Sequence, residues 1–546
     1  MSYVRSPELA FAASYPLFRS VLRFVTILLL SGGLVTGLSA GCARRHFFQP
    51  DARLPTAAGQ LPTPPDSVWA TAGRQYNHHS GLYEAFMGPH HRAVWAAPVR
   101  VPVLRLASAV PAAGPLTPTK LGGGFQSTSL TLKASDGRLF VIRSLDKDPA
   151  KILSAFYQKT FLANGLRDGT SAGNPYGALV VSPLAQQLGV PHTHPRVLYV
   201  PLNENNLGSD EANERLRGKL VLLEEKYSGD VVRSPLVPEA RRFIEDEVMR
   251  KHLYADPRNR PDQPALLRAR LLDVLVGDWD RHAGQWQWGE VPNPRRPGGR
   301  VFVAVPKDRD QVFFRMSDGV VPWLLTRRFL VRHLVTFKRR YHDLPALTGQ
   351  GRFVDQRGLN ALTRRDFIAA GRYVRDQLPD STLARAVGQL PPAVYALEGP
   401  TLLRDLQARR DALPAVAERY YALKAERPVV AGTELPDHFL VARTPDSTTV
   451  RGYNRALGAD SLCYQRTFYT RETKRLTLEG LGSNDVFELT GHGLRIVIHA
   501  GAGEDVLRAT SHRHLRYEPE SNGTLNTPAP TKKKERFDNY DRLTDE

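Results

Sequence analysis

The rhythm of apolar and polar positions changes several times along the chain, and each change marks an element. After a polar stretch carrying Arg5, Arg19 and Arg23, no charge appears from Phe24 through Cys42. Residues 43 to about 115 are rich in Pro, Ala and Gly and keep no sustained period, which predicts a tether followed by a partly structured lead-in. From Lys120 the texture changes to Leu121-Gly122-Gly123-Gly124-Phe125, then to alternation as far as Lys133. A Ser135-Asp136-Gly137 turn and a second alternating run, Leu139 to Leu145, complete an antiparallel ladder. Alternation puts Leu139, Val141, Arg143 and Leu145 on one face of that second strand.

Helical texture follows from about Ala150 to Leu166, and short apolar segments occur at Ala178–Val181, Arg196–Val200 and Leu220–Leu223. Residues 265–276, Ala-Leu-Leu-Arg-Ala-Arg-Leu-Leu-Asp-Val-Leu-Val, have the spacing of a buried helix and run directly into Gly277-Asp-Trp-Asp-Arg-His282. A strand predicted at Val301–Val305 delivers Pro306-Lys-Asp-Arg-Asp310, and residues 320 to about 425 read as mostly helical. From Val429 to Tyr517 short alternating strands return. There Glu479-Gly-Leu-Gly-Ser-Asn-Asp-Val-Phe487 is echoed by His499-Ala-Gly-Ala-Gly-Glu-Asp-Val-Leu507, with Gly482 and Gly503 lying 21 residues apart. Two equivalent turns of a small β-domain account for the echo, with Asp485 and Asp505 as turn caps in preference to calcium ligands. The polar tail beyond Pro519 reads as disordered.

Composition adds compartment and size. The chain has 546 residues, 42% of them hydrophobic, enough for two to four packed domains. Of its two cysteines, Cys42 closes the uncharged N-terminal segment, which leaves only Cys463 and no intrachain disulfide. Charged residues followed by an apolar run and small residues are the layout of an export signal. The ending Leu38-Ser39-Ala40-Gly41-Cys42 resembles a bacterial lipobox, which implies cleavage before Cys42 and lipid on its thiol. A membrane-spanning anchor is the competing reading, although Gly32, Gly33 and Gly37 suit a processed signal better. Ala43 stands where an Asp would signal inner-membrane retention, so the expected location is the outer membrane. Loss of Arg5, Arg19, Arg23 and Glu8 with the signal lowers the formal charge from +19 to +17. Such a field favours anionic headgroups or acidic polymers. The basic residues are dispersed, which argues against nucleic acid; the densest run, Lys532-Lys533-Lys534, lies in the polar tail.

The candidate chemistry lies between residues 277 and 310. Asp278, Asp280, Asp308 and Asp310 sit at the end of a buried helix and just after a strand, where carboxylates are costly unless solvated, paired or metal-bound. Hard oxygen donors without nearby Cys suit Mg2+ or Mn2+. Hydrogen-bonded loop caps, with Asp308 and Asp310 paired to Arg309 or Arg281, are the structural alternative. Upstream, Gly122, Gly123 and Gly124 form a turn able to cover phosphates with backbone N–H groups, and Arg143 supplies fixed positive charge. Trp279, Trp286 and Trp288 read as packing around this loop. His192 and His194 read as polar loop residues.

These segments resemble the atypical protein-kinase-like fold of secretory-pathway and spore-coat kinases, whose catalytic loops carry a similar Asp-Arg-His sequence. They are more similar still to a group of Bacteroidota envelope proteins with Gly-Asp-Trp-Asp-Arg-His and Asp-Arg-Asp-Gln segments. The resemblance covers roughly residues 118–315. It implies an α+β chain with a bilobal protein-kinase-like core at 118–428 and a β-rich domain at 429–519. Residues 1–41 then form the signal, 42–117 the tether and lead-in, and 520–546 the tail. It further implies ATP with Mg2+ or Mn2+. Asp280 matches the residue that handles the attacking hydroxyl, and Gln285 stands in place of the metal-binding Asn. Asp308 matches the metal-binding Asp, with Asp310 as its competitor. Arg143 stands where the phosphate-contacting Lys would be, with Lys147 as a rival, and Glu224 or Glu225 is placed near the nucleotide hinge. Arg for Lys replaces a point donor by a planar fork, and no acidic helix residue that would orient it is legible. Two functions follow as expectations. One is a metal-dependent envelope phosphotransferase acting on a protein or small hydroxyl acceptor; the other is an inactive kinase-like surface lipoprotein that binds an envelope partner or polysaccharide.

Overall fold

The computed structural model describes residues 44, 46–55, 66–123, 127–230, 236–327, 331–458 and 461–519. Cys42, Gly124 and the tail from residue 520 lie outside the described residues. The chain is a mixed α+β protein with several sheets and helices. Among the described residues no helix is long and apolar enough to cross a membrane.

The alternating ladder predicted around residue 130 is part of a five-stranded sheet. Its strands are β1 (Leu116–Gly122), β2 (Ser129–Ala134), β3 (Leu139–Ser144), β4 (Arg196–Tyr199) and β5 (Leu220–Lys226), in the order β1-β2-β3-β5-β4. Every pair is antiparallel. Leu130, Leu132, Phe140, Ile142, Leu198, Val221 and Leu223 bury one face. Period-two geometry therefore turns Val141, Arg143 and Glu224 to the other. Gly122 pairs with Ser129, and Ser129 with Arg143, so the glycine turn and Arg143 share one end of the sheet.

Below that end lies a helical body. Its central helix, Gln263–Val276, is capped by Asp262, whose carboxylate accepts from the Ala265 N–H at 3.0 Å, with Pro264 in the first turn. Leu266 through Leu272 and Val274 through Val276 are buried except Arg268, which explains why apolar residues occupy all its sides. The helix stops at Gly277 in the left-handed conformation, φ 75°, where a side chain would also strike Phe337. From the 34-residue helix Pro392–Ala425, buried Arg409 donates to the carbonyls of Leu275 at 2.8 Å and Val274 at 2.6 Å. A cation thus satisfies carbonyls that the helix end leaves open.

The region read as a tether and lead-in is more ordered than its composition suggests. Ser67–Ala70 and Val99–Pro102 form an antiparallel pair, and Ala70, Tyr76 and Trp95 are buried in the same core as the helical body. Arg92, also buried, makes a two-pronged ion pair with Asp168 at 2.5 and 2.6 Å. The strands are four residues each, too short to show a period, and the tie that fixes them is distant in sequence. The helix expected over 150–166 is divided into a single turn Pro149–Ile152 and helices Ala155–Gln158 and Phe161–Asp168. The segment 178–181 lies in the helix Gly177–Gln187.

The C-terminal β-rich region packs two sheets over one apolar core. Arg475–Glu479, Arg495–Gly501 and Leu515–Pro519 stack in parallel, as do Val486–Gly491 and Val506–Ala509. The two echoing segments are therefore successive coils. Gly482 bridges to Ala502, so Gly482 and Gly503 do not stack on each other. Asp505 accepts the Asp485 N–H at 2.9 Å, and Asp485 accepts the Asp437 N–H at 2.8 Å, each carboxylate capping the backbone of the preceding coil.

Asp485 is fully buried, its second oxygen has no hydrogen-bond partner among the described residues, and burial, helped by the charges of Asp437 and Asp505 and opposed by the Asp437 N–H, pushes its carboxyl up to about 9. A carboxyl raised from an unfolded value near ~4 favours folding in its protonated form, and that contribution is lost as pH climbs from about 4 to about 9. Asp485→Asn keeps an acceptor without the ionisation. It is expected to be more stable than the parent at pH 8 by ~1–3 kcal/mol and to show a flatter stability profile. Urea unfolding at pH 5 and pH 8 checks this; parallel profiles for parent and variant would mean that Asp485 folds ionised.

Candidate functional site

The site is assembled where the free end of the five-stranded sheet meets the end of the central helix and a hairpin. That hairpin, β6 (Trp286–Pro292) and β7 (Arg300–Pro306), pairs in antiparallel register from Trp286 opposite Pro306. It therefore returns the chain beside the loop following Gly277. Lys307 donates its N–H to the Gln285 carbonyl at 3.1 Å, which ties the two loops together.

A buried guanidinium fixes the rest. Arg281 donates to Asp278 at 2.5 and 3.1 Å, and to the carbonyls of Gln285 at 3.1 Å, Lys307 at 2.6 Å and Asp308 at 2.9 Å. Asp273, fully buried on the central helix, pairs with Arg270 at 2.8 Å, with Arg281 at 3.5 Å and with Arg309. Asp278 and Arg309 are thus structural ties. Asp308 and Asp310, which the loop-cap alternative pairs to Arg309 or Arg281, meet Arg143 and Lys147 instead. The Asp273 network was not foreseen. Its signal was a lone acid within a run of buried apolar residues, readable only as a demand for buried cations.

Asp308 adopts a left-handed backbone, φ 60°, a conformation costly for a non-glycine residue that concentrates at functional sites. Its carboxylate lies 3.7 Å from Arg143 and accepts a side-chain hydrogen bond from Gln285. Burial acts to raise its pKa, but Arg143, Lys147, Arg281 and Gln285 together outweigh burial and hold it below the usual carboxylate range. Asp280, two residues beyond Asp278 and half-buried, behaves oppositely. Burial, then the charges of Asp278 and Asp308, push it up to about 7 against the pull of Arg281 and Lys147. Two carboxyls in one site are thereby driven apart, one fixed as an anion and one titrating near neutrality.

Arg143 on β3 also reaches Glu224 on β5 at 3.4 Å. Glu224 is buried, receives the Thr193 hydroxyl at 2.7 Å, and is raised by burial against the pull of Arg143. The acidic partner of Arg143 is therefore a strand residue, Glu224, which the sequence reading places near a nucleotide hinge, and not a helix residue. Glu225 points elsewhere: it accepts the His194 N–H at 2.6 Å and its ring at 3.0 Å. Lys147 joins the site by pairing with Asp310, and burial lowers its pKa. His282 caps the turn Ala283–Gln285, its Nδ1 accepting from Gly284 at 3.0 Å. Trp286 and Trp288 are buried, Trp288 donating to Asp246 at 3.1 Å.

At the sheet's edge Gly123 has φ 76°, and a side chain there would collide with the Ser127 carbonyl, so glycine is needed for this turn. Arg215 donates to the Gly123 carbonyl at 2.9 Å. Among the described residues no three Asp, Glu, His or Cys side chains are gathered with metal-ligand spacing. Asp308 nonetheless supplies a charged hard oxygen with the Gln285 amide beside it, and Mg2+ is commonly held by one or two carboxylates with phosphate and water completing the shell. The residues present fit a cation shared with a phosphate ligand better than a fully caged one. Compared with protein-family models and with curated proteins, the chain matches none.

Proposed function

We propose that this protein is a metal-dependent envelope phosphotransferase, moving a nucleotide phosphoryl group to a protein or small hydroxyl acceptor on a bilobal protein-kinase-like core. The carrying observation is that Arg143, Asp308, Gln285 and Asp280 converge from sheet, hairpin and helix end with the two acids tuned in opposite directions. The sheet order β1-β2-β3-β5-β4, with a glycine turn between its first strands, supports the same reading.

Asp308 and Gln285 would hold Mg2+ or Mn2+, which when bound neutralises phosphate charge. Arg143, steadied by Glu224, presents its fork to the phosphates of ATP, and the N–H groups of Gly122 and Gly123 are available to cover them. Asp280 accepts the proton of the attacking hydroxyl while the new phosphorus–oxygen bond forms and the nucleoside diphosphate departs. A base near 7 is matched to that task at neutral pH. Because Asp280 must be ionised to accept the proton, transfer should rise with pH through about 7.

The test is thermal unfolding of the full chain with ATP alone, with Mg2+ or Mn2+ alone, and with both. The proposal expects a stabilisation that needs nucleotide and metal together; identical unfolding in all conditions would remove it.

Anchoring by lipid on Cys42 belongs to the same proposal. Cys42→Ser removes the acceptor thiol, so radiolabelled acyl incorporation is expected to vanish and the unprocessed precursor to accumulate. Undiminished acyl labelling of the variant would overturn the anchor.

A further inference from the structure

The helix Gly81–Met87 is capped by Ser80, whose hydroxyl accepts from the Tyr83 N–H at 3.3 Å, yet it buries none of its residues. Leu82 and Phe86, one helical turn apart, face solvent. Against it packs the helix Val320–Leu325, which exposes Val320, Trp323 and Leu324. These five side chains are between 46% and 71% exposed. Single exposed apolar residues are ordinary, but five of them on two adjoining helices mark an interaction surface.

The pair of helices is held rigidly. Asp318, just before the second helix, accepts the His90 N–H at 2.8 Å and meets the buried His90 ring at 2.5 Å. Gly319 abuts Gly88 so closely that a side chain would strike its backbone. Tyr83, on the inner side of the first helix, stacks on His79 and donates to Asp168 at 3.0 Å. The apolar face is therefore preformed rather than a frayed end.

Two further features identify what covers it. Arg44, two residues beyond Cys42, donates its N–H to Asn164 at 2.9 Å, and its charge is felt by His79 and Tyr83. The chain thus enters the fold beside these helices, next to the helix Phe161–Asp168, whose first residue is also exposed. Phe156, on the preceding helix, is more exposed still. The guanidinium of Arg327 stacks over Trp323 at 3.6 Å, an aromatic and a cation together at the edge of an apolar face. Tryptophan and arginine at the border of buried apolar side chains are the composition of a membrane interface. The +17 charge left after loss of the signal's three Arg and one Glu complements anionic headgroups.

We propose that the paired helices Gly81–Met87 and Val320–Leu325 form a bilayer-docking face that rests on an anionic phospholipid leaflet beside the point where the lipid-bearing N-terminus enters the fold. Such contact would fix the orientation of the body on the membrane, which a flexible acyl tether cannot do by itself. The inference takes the Cys42 lipid from the proposal above and is independent of phosphoryl transfer.

The test uses the full chain, purified from membranes in detergent and reconstituted into vesicles of phosphatidylethanolamine and phosphatidylglycerol with brominated acyl chains. Trp323 is the only exposed one of the six tryptophans, so bromine should quench it selectively. Trp323→Phe is expected to lose most of the quenching, and Leu82→Glu with Phe86→Glu to lose most of it while Trp323 is retained. Both positions are exposed, so folding should persist, as circular dichroism can verify. An acylated, vesicle-bound chain whose quenching is unchanged by either variant overturns the docking face. A chain without acyl label that is still quenched through Trp323 keeps the face and removes the anchor. If Phe86→Glu instead converts a detergent-solubilised dimer to monomer and leaves quenching unchanged, the face is a self-association surface and the proposal falls. ATP binding is not read at any step, so these outcomes separate from success or failure of the phosphotransferase.

Discussion

Asp280→Asn is expected to bind metal and nucleotide as the parent does and to transfer the phosphoryl group ~10²–10⁴-fold more slowly, the usual contribution of a positioned proton acceptor. Asp308→Asn is expected to fail earlier, at binding. The difference follows from where each carboxyl does its work. Asp308 is kept ionised by Arg143, Lys147 and Arg281 and accepts from Gln285, so its charge is present before any substrate arrives. Removing it weakens ground-state binding. Asp280 titrates near 7, and its proton acceptance matters only as the hydroxyl attacks, so turnover falls while affinity persists. Titrations of ATP at fixed Mg2+ or Mn2+, followed by single-turnover transfer, separate the two. The Asp280 carboxyl also predicts the profile: parent transfer rises through about pH 7, and the residual rate of Asp280→Asn does not. Parent-like affinity in Asp308→Asn would pass the metal role to Asp310. A transfer rate in Asp280→Asn equal to the parent's would remove Asp280 from catalysis.

Arg281→Met is expected to cost ~3–5 kcal/mol of stability, because removal of one partner strands buried opposite charge. Arg281 is buried, and the residues it leaves include Asp278 and three backbone carbonyls. Arg309 and Arg270 remain beside Asp273, which limits the loss on that side. Met fills much of the volume without donating a hydrogen bond. Chemical denaturation reads the stability, and the site supplies a second readout. Arg281 is among the groups that pull the Asp280 pKa down, so the same variant should move the pH–rate profile upward. Parent-like unfolding of Arg281→Met would show that the Asp278 and Asp308 loops are held by other contacts. Lower stability with an unmoved profile would make Arg281 purely structural.

The elements with a clear rhythm were legible. Alternation from residue 129 to 144 placed Arg143 on the face opposite Phe140 and Ile142, and that is where it lies. The apolar spacing of 265–276 identified a buried helix. Elements held by distant polar ties were illegible. The lead-in depends on Arg92 meeting Asp168, and His91 reaching Glu398 at 2.9 Å, pairings with no local signature. The echo near residue 480 indicated equivalent turns, but their stacking as coils and the register of Gly482 on Ala502 arise from parallel pairing between strands.

For the candidate site, the sequence by itself determined which chemistry was on offer: four acids around a buried helix end, a glycine turn, and a cation on an alternating strand. Residue type and local period are properties of the chain, and they carry that much. Only the tertiary structure decided the division of labour among the acids. Asp278 became a buried partner of Arg281, Asp310 met Lys147, Asp308 stayed charged beside Arg143, and Asp280 was driven toward neutrality. The physical reason is that a carboxyl's pKa follows its burial and its nearest charges. Those neighbours come from strands and helices far apart along the chain, and folding alone brings them within a few ångströms.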